Sequence, residues 1–341
     1  MKNKYYSIIR TNEKTTIEIH KMPILYRYQS INPYSVSALL HDEVWGTVPT
    51  NFNDPYDTIF CYSPSKLKRV LQEKLRNKDI EKYKKFFNVT TKSQLIDIMI
   101  ANLLDRYNDD FRKMYCIACF SENYDSEIMW GHYANCARGF VVEYDGSELK
   151  ELAIYNNKVF YDFVEDFNFF GIDLSNAKED NLSTIVPVIY GDDKKNSTGE
   201  ITTIIDPLLE YYDDLCSGRT ISEAVNTLYE KIMQAYYARQ KDNNYMFYSA
   251  ICKKSKVWAY EKEWRIWGYN SNILTGQKNN PYVLLGEGGR VKAKAIYLGE
   301  KTSEYDTIAL TEIARQKNIP IYKMKTLMLA HKCKLVAEPI K

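Results

Sequence analysis

The residues of this chain that could most readily take part in a reaction lie in one short segment, Trp258–Trp267 (WAYEKEWRIW). Strand character over 257–267 places alternate side chains on one face, so Glu261, Glu263 and Arg265 point the same way. The apolar alternates face the core: Tyr260, Trp264 and Ile266. Two neighbouring carboxylates can have different pKa values, and one can then stabilise a developing cation or orient a hydroxyl. The alternative is a solvated strand face that carries an ordinary Glu–Arg pair.

Two further polar residues occur in apolar strands. Arg27 stands between Tyr26 and Tyr28, and its planar guanidinium could grip a phosphate or a carboxylate. The alternative is a partly buried arginine paired with an acidic residue. Ser121 ends the strand predicted over 114–121, where its hydroxyl could position a ligand.

The segment Asn51–Asp57 (NFNDPYD) has two possible interpretations. Asn53, Asp54 and Asp57 could coordinate a divalent ion through oxygen ligands. The same residues around Pro55 are also what a turn and a helix cap require.

His132 lies at the border of an apolar helical stripe, as either a hydrogen-bonded boundary residue or a general base. Its neighbours Trp130 and Tyr133 fall on the stripe and are predicted to be core residues. The sequence contains no P-loop, nucleophile elbow, HExxH or GxGxxG pattern.

The elements that must position these residues follow from apolar periodicity. We predict strands over 24–29, 114–121, 140–145, 257–267 and 281–285, helices over 65–112 and 127–137, and a short helix after Asn32-Pro33. The chain closes with a β-α-β unit, in which KAIYLG precedes a helix capped near Ser303 and IPIYKMK follows it. The expected fold class is α+β, with a mixed central sheet flanked by helices and a mostly helical insertion around 200–250. We expect one domain over 1–341, with its core at about 24–325.

Composition limits the classes of function. The 341 residues are 45% apolar and carry a formal net charge of +2, which is not the basic footprint of a nucleic-acid binder. The first residues lack a signal peptide and no stretch approaches a membrane span, so we expect a cytoplasmic protein with reduced thiols. Cys116 and Cys119 form a C-x-x-C within an apolar run, without a second such pair or nearby histidines, so no metal is expected. The 29 tyrosines fit an AT-rich genome as well as they fit ligand stacking.

Six segments together are similar to the bacterial domain-of-unknown-function family 2971. They occur in this order: Leu25–Tyr28, Phe52–Asp57, Cys119–Ser121, Trp130–Ala134, Gly139–Asp145 and Trp258–Arg265. The resemblance covers roughly residues 24–325. It implies no activity, because the family is named for lacking one.

A second resemblance is to the core of the ADP-ribosyltransferases. That family places an Arg or His on a first strand, a Ser or Tyr on a second and a Glu on a later strand, often as E-x-E. Arg27, Ser121 and Glu261-Lys-Glu263 recur here in that order. The resemblance implies an NAD-utilising transferase or glycohydrolase, with Glu263 as the catalytic glutamate and Glu261 orienting the acceptor.

The same resemblance implies a set of residues that bind NAD. They are Arg27, Tyr28, Ser121 and Arg265. Arg27 would hold the dinucleotide and Ser121 would support the nicotinamide ribose, while Tyr28 stands where that family has a glycine. A role in bacterial conflict or phage defence would fit such an enzyme, although no residue argues for it.

Two other classes of function stay open. One is a metal-dependent phosphoester hydrolase or nuclease that uses Asp54, Asp57, Glu261 and Glu263. The other is a non-enzymatic sensor or effector that recognises a nucleotide or a partner protein. The sequence does not identify an acceptor for a transferred group, an oligomeric state or a pathway.

Overall fold

The protein is built around a mixed β-sheet, seen in a computed structural model. The structure describes residues 3–10, 15–59, 61–153, 185–191, 201–202, 205–220, 251–270, 272, 280, 282–285 and 289–340. Its strands are β1 Tyr6–Arg10, β2 Thr15–Ile19, β3 Ile24–Gln29, β4 Val44–Thr47, β5 Tyr115–Ser121, β6 Phe140–Asp145, β7 Ile185–Pro187, β8 Ile189–Tyr190, β9 Lys253–Lys254, β10 Glu263–Tyr269, β11 Tyr282–Leu285, β12 Ala295–Leu298, β13 Ile321–Leu329 and β14 Lys332–Pro339.

The helices lie between these strands and most begin at a polar cap. They are α1 Pro33–His41, α2 Pro64–Lys74, α3 Ile80–Phe87, α4 Lys92–Met114, α5 Glu127–Tyr133, α6 Ile205–Cys216 and α7 Glu304–Lys317. Asn32 caps α1 by accepting a hydrogen bond from the backbone N–H of Ser35, and Ser303 does the same for α7 from Asp306. No helix in the described part of the chain is long and apolar enough to cross a bilayer.

The central sheet has ten strands within the described residues. Eight of them follow the order β11-β4-β5-β3-β6-β12-β13-β14, and β10 pairs with both β5 and β7. Strands β12 and β13 are parallel and α7 connects them, whereas the other pairs of this sheet are antiparallel. The predicted α+β class and C-terminal β-α-β unit are confirmed.

Strand β5 is the element on which the site depends. Strand β10 pairs with it along its whole length, from Glu263 opposite Ser121 to Tyr269 opposite Tyr115. Two other strands share its second edge, because Tyr26 of β3 pairs with Ser121 and Thr47 of β4 pairs with Ile117. Strands β3 and β10 therefore flank the carboxyl end of β5.

Two apolar cores stabilise the described structure. One lies on a face of the sheet and includes Leu25, Phe120 and Trp264, all 2% exposed or less. The other joins α2, α3, α4 and α6, and includes Tyr83. Part of the predicted helical segment at 200–250 therefore packs on the helices of residues 64–114, while its portion at 221–250 lies outside the described residues.

Several predicted boundaries were wrong. Residues Lys256–Glu261 form a 3₁₀ helix, and the strand begins only at Glu263. Helix α5 ends at Tyr133, because the backbone at 135–137 enters the left-handed region that helices cannot continue through. The segment after α1 forms β4, where Val44 packs in the core. The β1–β2 hairpin and β14 were not predicted.

Candidate functional site

The predicted site residues surround one cavity of about 240 Å³ at the carboxyl end of β5. Its walls come from β3, β5, β10, helix α5, the turn at 51–57 and the 3₁₀ helix at 256–261. Cys119, Ser121, Glu261, Glu263 and Arg265 all line it. By the register, Ser121 and Glu263 are directly opposite on neighbouring strands, so their side chains leave the sheet on the same face.

A backbone kink brings Glu261 to the same cavity as Glu263. The 3₁₀ helix ends at Glu261, Lys262 takes a left-handed conformation with φ of 43°, and β10 begins one residue later. The hydroxyl of Ser121 donates to the carbonyl oxygen of Glu261 at 2.7 Å, which fixes this junction to the end of β5. Ser121 is fully buried and therefore acts first as a structural anchor.

Five charged side chains form a buried network around the cavity. Arg265 donates to both carboxylate oxygens of Asp57, at 2.9 and 2.5 Å, and its Nε donates to Glu263 at 2.8 Å. Lys254 lies 2.6 Å from Glu261, 3.4 Å from Glu263 and 3.6 Å from Asp57. None of the five is more than 6% exposed. When all are ionised, three carboxylates face two cations, and one negative charge is left over.

The network gives the two glutamates different pKa values. Burial and the charge of Glu263 raise the pKa of Glu261 to about 7, against the opposing effects of Lys254 and Tyr133. Burial alone would raise the pKa of Glu263 too, but Arg265 and Lys254 outweigh it and hold that pKa well below its usual range. Glu263 is therefore a fixed anion near neutral pH, while Glu261 can gain or lose a proton.

Two tyrosines complete the surroundings of the carboxylates. The hydroxyl of Tyr133 donates to Glu261 at 2.5 Å, and the hydroxyl of Tyr190 accepts from the backbone N–H of Glu263 at 2.8 Å. Burial and the negative charge of Glu261 raise the pKa of Tyr133. The phenol of Tyr133 therefore stays protonated and acts as a donor.

An aromatic group lies beside the cavity, next to Glu261. His132, Trp258 and Tyr260 contact one another with ring centroids 6.0–6.4 Å apart, and the Tyr260 hydroxyl is 3.2 Å from His132 Nδ1. The ammonium of Lys254 lies 4.8 Å from the Trp258 ring centre. His132 is exposed and bonded at this boundary, which agrees with the structural interpretation of that residue.

Arg27 lines the cavity, but its guanidinium turns away from the carboxylates. Strand pairing puts Arg27 opposite Val142, on the core face of the sheet, whereas Tyr26 shares the face of Ser121. The guanidinium donates to the carbonyl oxygen of Trp45 and lies 5.7 Å from the Phe120 ring centre. Among the described residues, no carboxylate lies within 4.0 Å of it. Burial lowers the pKa of Arg27.

Tyr28 is held by the protein itself. Its hydroxyl donates to the carbonyl oxygen of Asn123 at 3.0 Å. Its ring makes an edge-to-face contact with the Trp130 ring, with 5.4 Å between the ring centroids. Tyr28 also lines the cavity.

The acidic turn supplies one member of the network. Asp57 pairs with Arg265, while Asp54 accepts from the backbone N–H of Tyr56 at 2.9 Å and so closes its own turn. In the described part of the chain, no three His, Cys, Asp or Glu residues are arranged to hold a metal ion. The carboxylates nearest the cavity are instead paired with Lys254 and Arg265.

Sequence reasoning did not identify Lys254, Tyr133 and Tyr190 as site residues. One signal was available for the pairing of Asp57 with Arg265. An arginine between Trp264 and Ile266 in a buried strand requires a counter-charge from elsewhere in the chain. No spacing rule indicates which acidic residue supplies it.

Comparison with known proteins finds a match to one family model, which carries no activity. Residues 129–266 match the family described as "Protein of unknown function (DUF2971)", which confirms the predicted resemblance over that range. No curated protein and no solved structure shows a significant match to the chain.

Proposed function

We propose that this chain, whose residues 129–266 match the DUF2971 family, is an NAD-utilising enzyme of ADP-ribosyltransferase-like or NAD-glycohydrolase type. The observation that supports this most is that two buried carboxylates, Glu261 and Glu263, line one cavity. One carboxylate is held as an anion, and the other has a pKa raised to about 7. Such a division suits a reaction that develops a cation and also moves a proton.

The proposed reaction uses the two glutamates differently. The bond between ribose C1′ and the nicotinamide nitrogen breaks, and its electron pair leaves with neutral nicotinamide. The anionic Glu263 stabilises the ribosyl cation that develops. A hydroxyl group of water or of an acceptor then forms the new bond to C1′, and its proton passes to Glu261.

The cavity is small for a whole dinucleotide. Its 240 Å³ falls below the roughly 300–1,000 Å³ of typical small-molecule sites, so it would enclose only the reacting half. The partly exposed rings of Trp258 and Tyr260 lie next to Glu261, where a planar ring could stack.

Arg265 and Arg27 have different roles in this proposal. Arg265 is saturated by Asp57 and Glu263, so we assign it the positioning of the carboxylates instead of direct contact with NAD. Among the described residues, Arg27 pairs with no carboxylate and donates to the carbonyl oxygen of Trp45 at the border of the cavity, so we assign it the contact with a phosphate of NAD.

Nicotinamide release from NAD, followed by proton NMR, tests the proposal. We expect release by the wild type, a decrease of about 100-fold or more in Glu263→Gln, and no change in Glu312→Gln. Glu312 is a matched control because it is a glutamate that pairs with an arginine, Arg315, on the exposed face of α7.

The melting temperature with and without NAD separates loss of activity from loss of folding. A folded Glu263→Gln protein that is still stabilised by NAD but releases no nicotinamide would assign the glutamate to chemistry. A wild type that neither releases nicotinamide nor gains stability from NAD would reject the proposal.

The non-enzymatic alternative also has an observation in its favour. The five buried charged side chains are joined by hydrogen bonds and ion pairs, as expected of a rigid binding site as well as of a catalytic one. A sensor predicts that a nucleotide binds to both wild type and Glu263→Gln and is recovered unchanged from both.

A further inference from the structure

The carboxylate of Glu261 accepts hydrogen bonds at both of its oxygens. The hydroxyl of Tyr133 donates to Oε1 at 2.5 Å, and the ammonium of Lys254 donates to Oε2 at 2.6 Å. Glu261 is only 2% exposed, and the hydroxyl of Ser121 holds its backbone carbonyl oxygen at 2.7 Å. Any proton that this carboxylate gains or loses therefore moves beside two fixed partners.

The two partners differ in what they can do with a proton. An ammonium group has three donors and no acceptor, so Lys254 stabilises the anionic carboxylate but cannot take up a further proton. A phenol both donates and accepts, so the oxygen of Tyr133 can take a proton while its own proton passes to Glu261. Of the two side chains bonded to this carboxylate, Tyr133 is therefore the one that can relay a proton.

Tyr133 also lies where a reacting group could meet it. It is half-buried and lines the same cavity as Glu263, whereas Lys254 is 6% exposed. Helix α5 fixes its position, because Met129 lies one turn earlier on the same face and lines the cavity as well. Trp130 of the same helix is 2% exposed and packs in an apolar cluster. The hydroxyl of Tyr133 thus bonds to Glu261 from a well-anchored helix that borders the cavity.

We propose that Tyr133 is a proton relay, which carries the proton of the attacking hydroxyl group to Glu261. This inference rests on the proposed function and adds a residue to its second step. The O–H bond of water or of the acceptor breaks, and its electron pair forms the new bond to ribose C1′. Its proton passes to the oxygen of Tyr133, and the proton that Tyr133 held passes to Oε1 of Glu261.

The relay leaves Tyr133 a neutral phenol before and after the transfer. Burial and the negative charge of Glu261 raise the pKa of Tyr133, so a phenolate is unfavourable in this position and the two protons move together. Glu261 ends as a neutral acid. The carboxylate thus receives a proton without direct contact with the acceptor.

Nicotinamide release by variants of the full chain tests the relay. Tyr133→Phe removes only the hydroxyl group, and we expect release at pH 8 to fall by about 100-fold or more, as for the loss of a general base. Tyr305→Phe is the matched control, because Tyr305 is 87% exposed on α7 and does not line the cavity. The melting temperature of each variant, with and without NAD, shows whether it folds and binds.

Azide separates a relay from a structural role of the hydroxyl group. The azide anion can form a bond to ribose C1′ without giving up a proton, so its reaction needs no relay. We expect azide to raise the rate of nicotinamide release by Tyr133→Phe at least about tenfold, and to change that of Tyr305→Phe by much less. A hydroxyl group that only supports the fold would not produce this difference.

A double variant tests whether Tyr133 and Glu261 form one path. A relay fails when either of its members is absent, so the two removals should not add. Tyr133→Phe, Glu261→Gln and the double variant Y133F/E261Q should therefore release nicotinamide at similar rates.

Three results would overturn the relay and leave the proposed function in place. The first is a Tyr133→Phe protein that releases nicotinamide at the wild-type rate. The second is a folded, NAD-stabilised Tyr133→Phe protein whose lost activity azide does not restore, and the third is a double variant much slower than both single variants. A wild type that releases no nicotinamide would instead reject the proposed function, and the relay with it.

Discussion

Arg265 is the residue on which the buried network depends. Its guanidinium is fully buried and makes charge-assisted hydrogen bonds to Asp57 and Glu263 from two separate parts of the chain. Removing one partner of such a group leaves the other charges buried without compensation. That cost usually exceeds the net contribution of the intact pair.

We therefore expect Arg265→Met to lower the free energy of unfolding by about 3–5 kcal/mol, measured by urea denaturation. Arg315→Met provides the control, because Arg315 pairs with Glu312 on an exposed helix face. Equal midpoints for the two variants would contradict this role of Arg265.

Glu261 predicts a specific dependence of stability on pH. The pKa of Glu261 is raised to about 7 in the folded protein, above that of an unfolded glutamate. Between these two pKa values, the folded state therefore binds more protons than the unfolded state. The contribution of Glu261 to stability is therefore greatest at low pH and falls as pH rises toward 7. We expect a loss of roughly 1–3 kcal/mol between pH 5 and pH 8 that is reduced in Glu261→Gln, measured by urea denaturation.

The depressed pKa of Glu263 acts in the opposite direction. Its contribution is present above the pKa of an unfolded glutamate and is lost only as pH falls through the folded value, so it does not affect the window above pH 5. A pH profile in Glu261→Gln as steep as that of wild type would assign the loss to other groups.

At the level of elements, the backbone before β6 approaches the end of β3 closely. Gly139 lies before β6, where a Cβ atom would stand 2.1 Å from the carbonyl oxygen of Gln29 at the end of β3. Gly131 is in α5, and a Cβ there would meet nothing within 4 Å. A side chain is therefore excluded for lack of space at Gly139 but not at Gly131, eight residues away.

Gly139→Ala should destabilise the protein by about 3 kcal/mol, because β3 and β6 must separate to admit the methyl group. Gly131→Ala should leave stability unchanged or increase it by roughly 0.5–1 kcal/mol, as alanine favours a helix. Thermal unfolding followed by circular dichroism measures both. A tolerated Gly139→Ala would mean that these strands adjust freely at that point.

At the level of the whole molecule, the cavity and strand β14 lie at different positions along the central sheet. Strands β6, β12 and β13 lie between β3, which borders the cavity, and β14. The residues that line the cavity all come from this one chain. A Met328→Lys protein, changed at a position of β13 that is 75% exposed, should therefore retain the wild-type rate of any nicotinamide release, measured by the same proton NMR assay.

The sequence alone determined much of the local structure. Alternation of apolar side chains predicted β3 and β5, and a serine cap followed by Asp306 predicted α7, because these signals depend only on neighbouring residues. It also indicated Glu261, Glu263 and Ser121 as residues that could share a site, and the structure places all three at one cavity.

Only the tertiary structure decided how those residues are arranged. Asp57 and Arg265 are 208 positions apart and meet because β10 pairs with β5 beside the turn that holds Asp57. The left-handed backbone of Lys262 bends the chain between Glu261 and Glu263, which a continuous strand would have placed on one face. The direction of Arg27 depends on which strand pairs with β3, and no local pattern fixes that, because pairing partners are chosen by contacts distant in sequence.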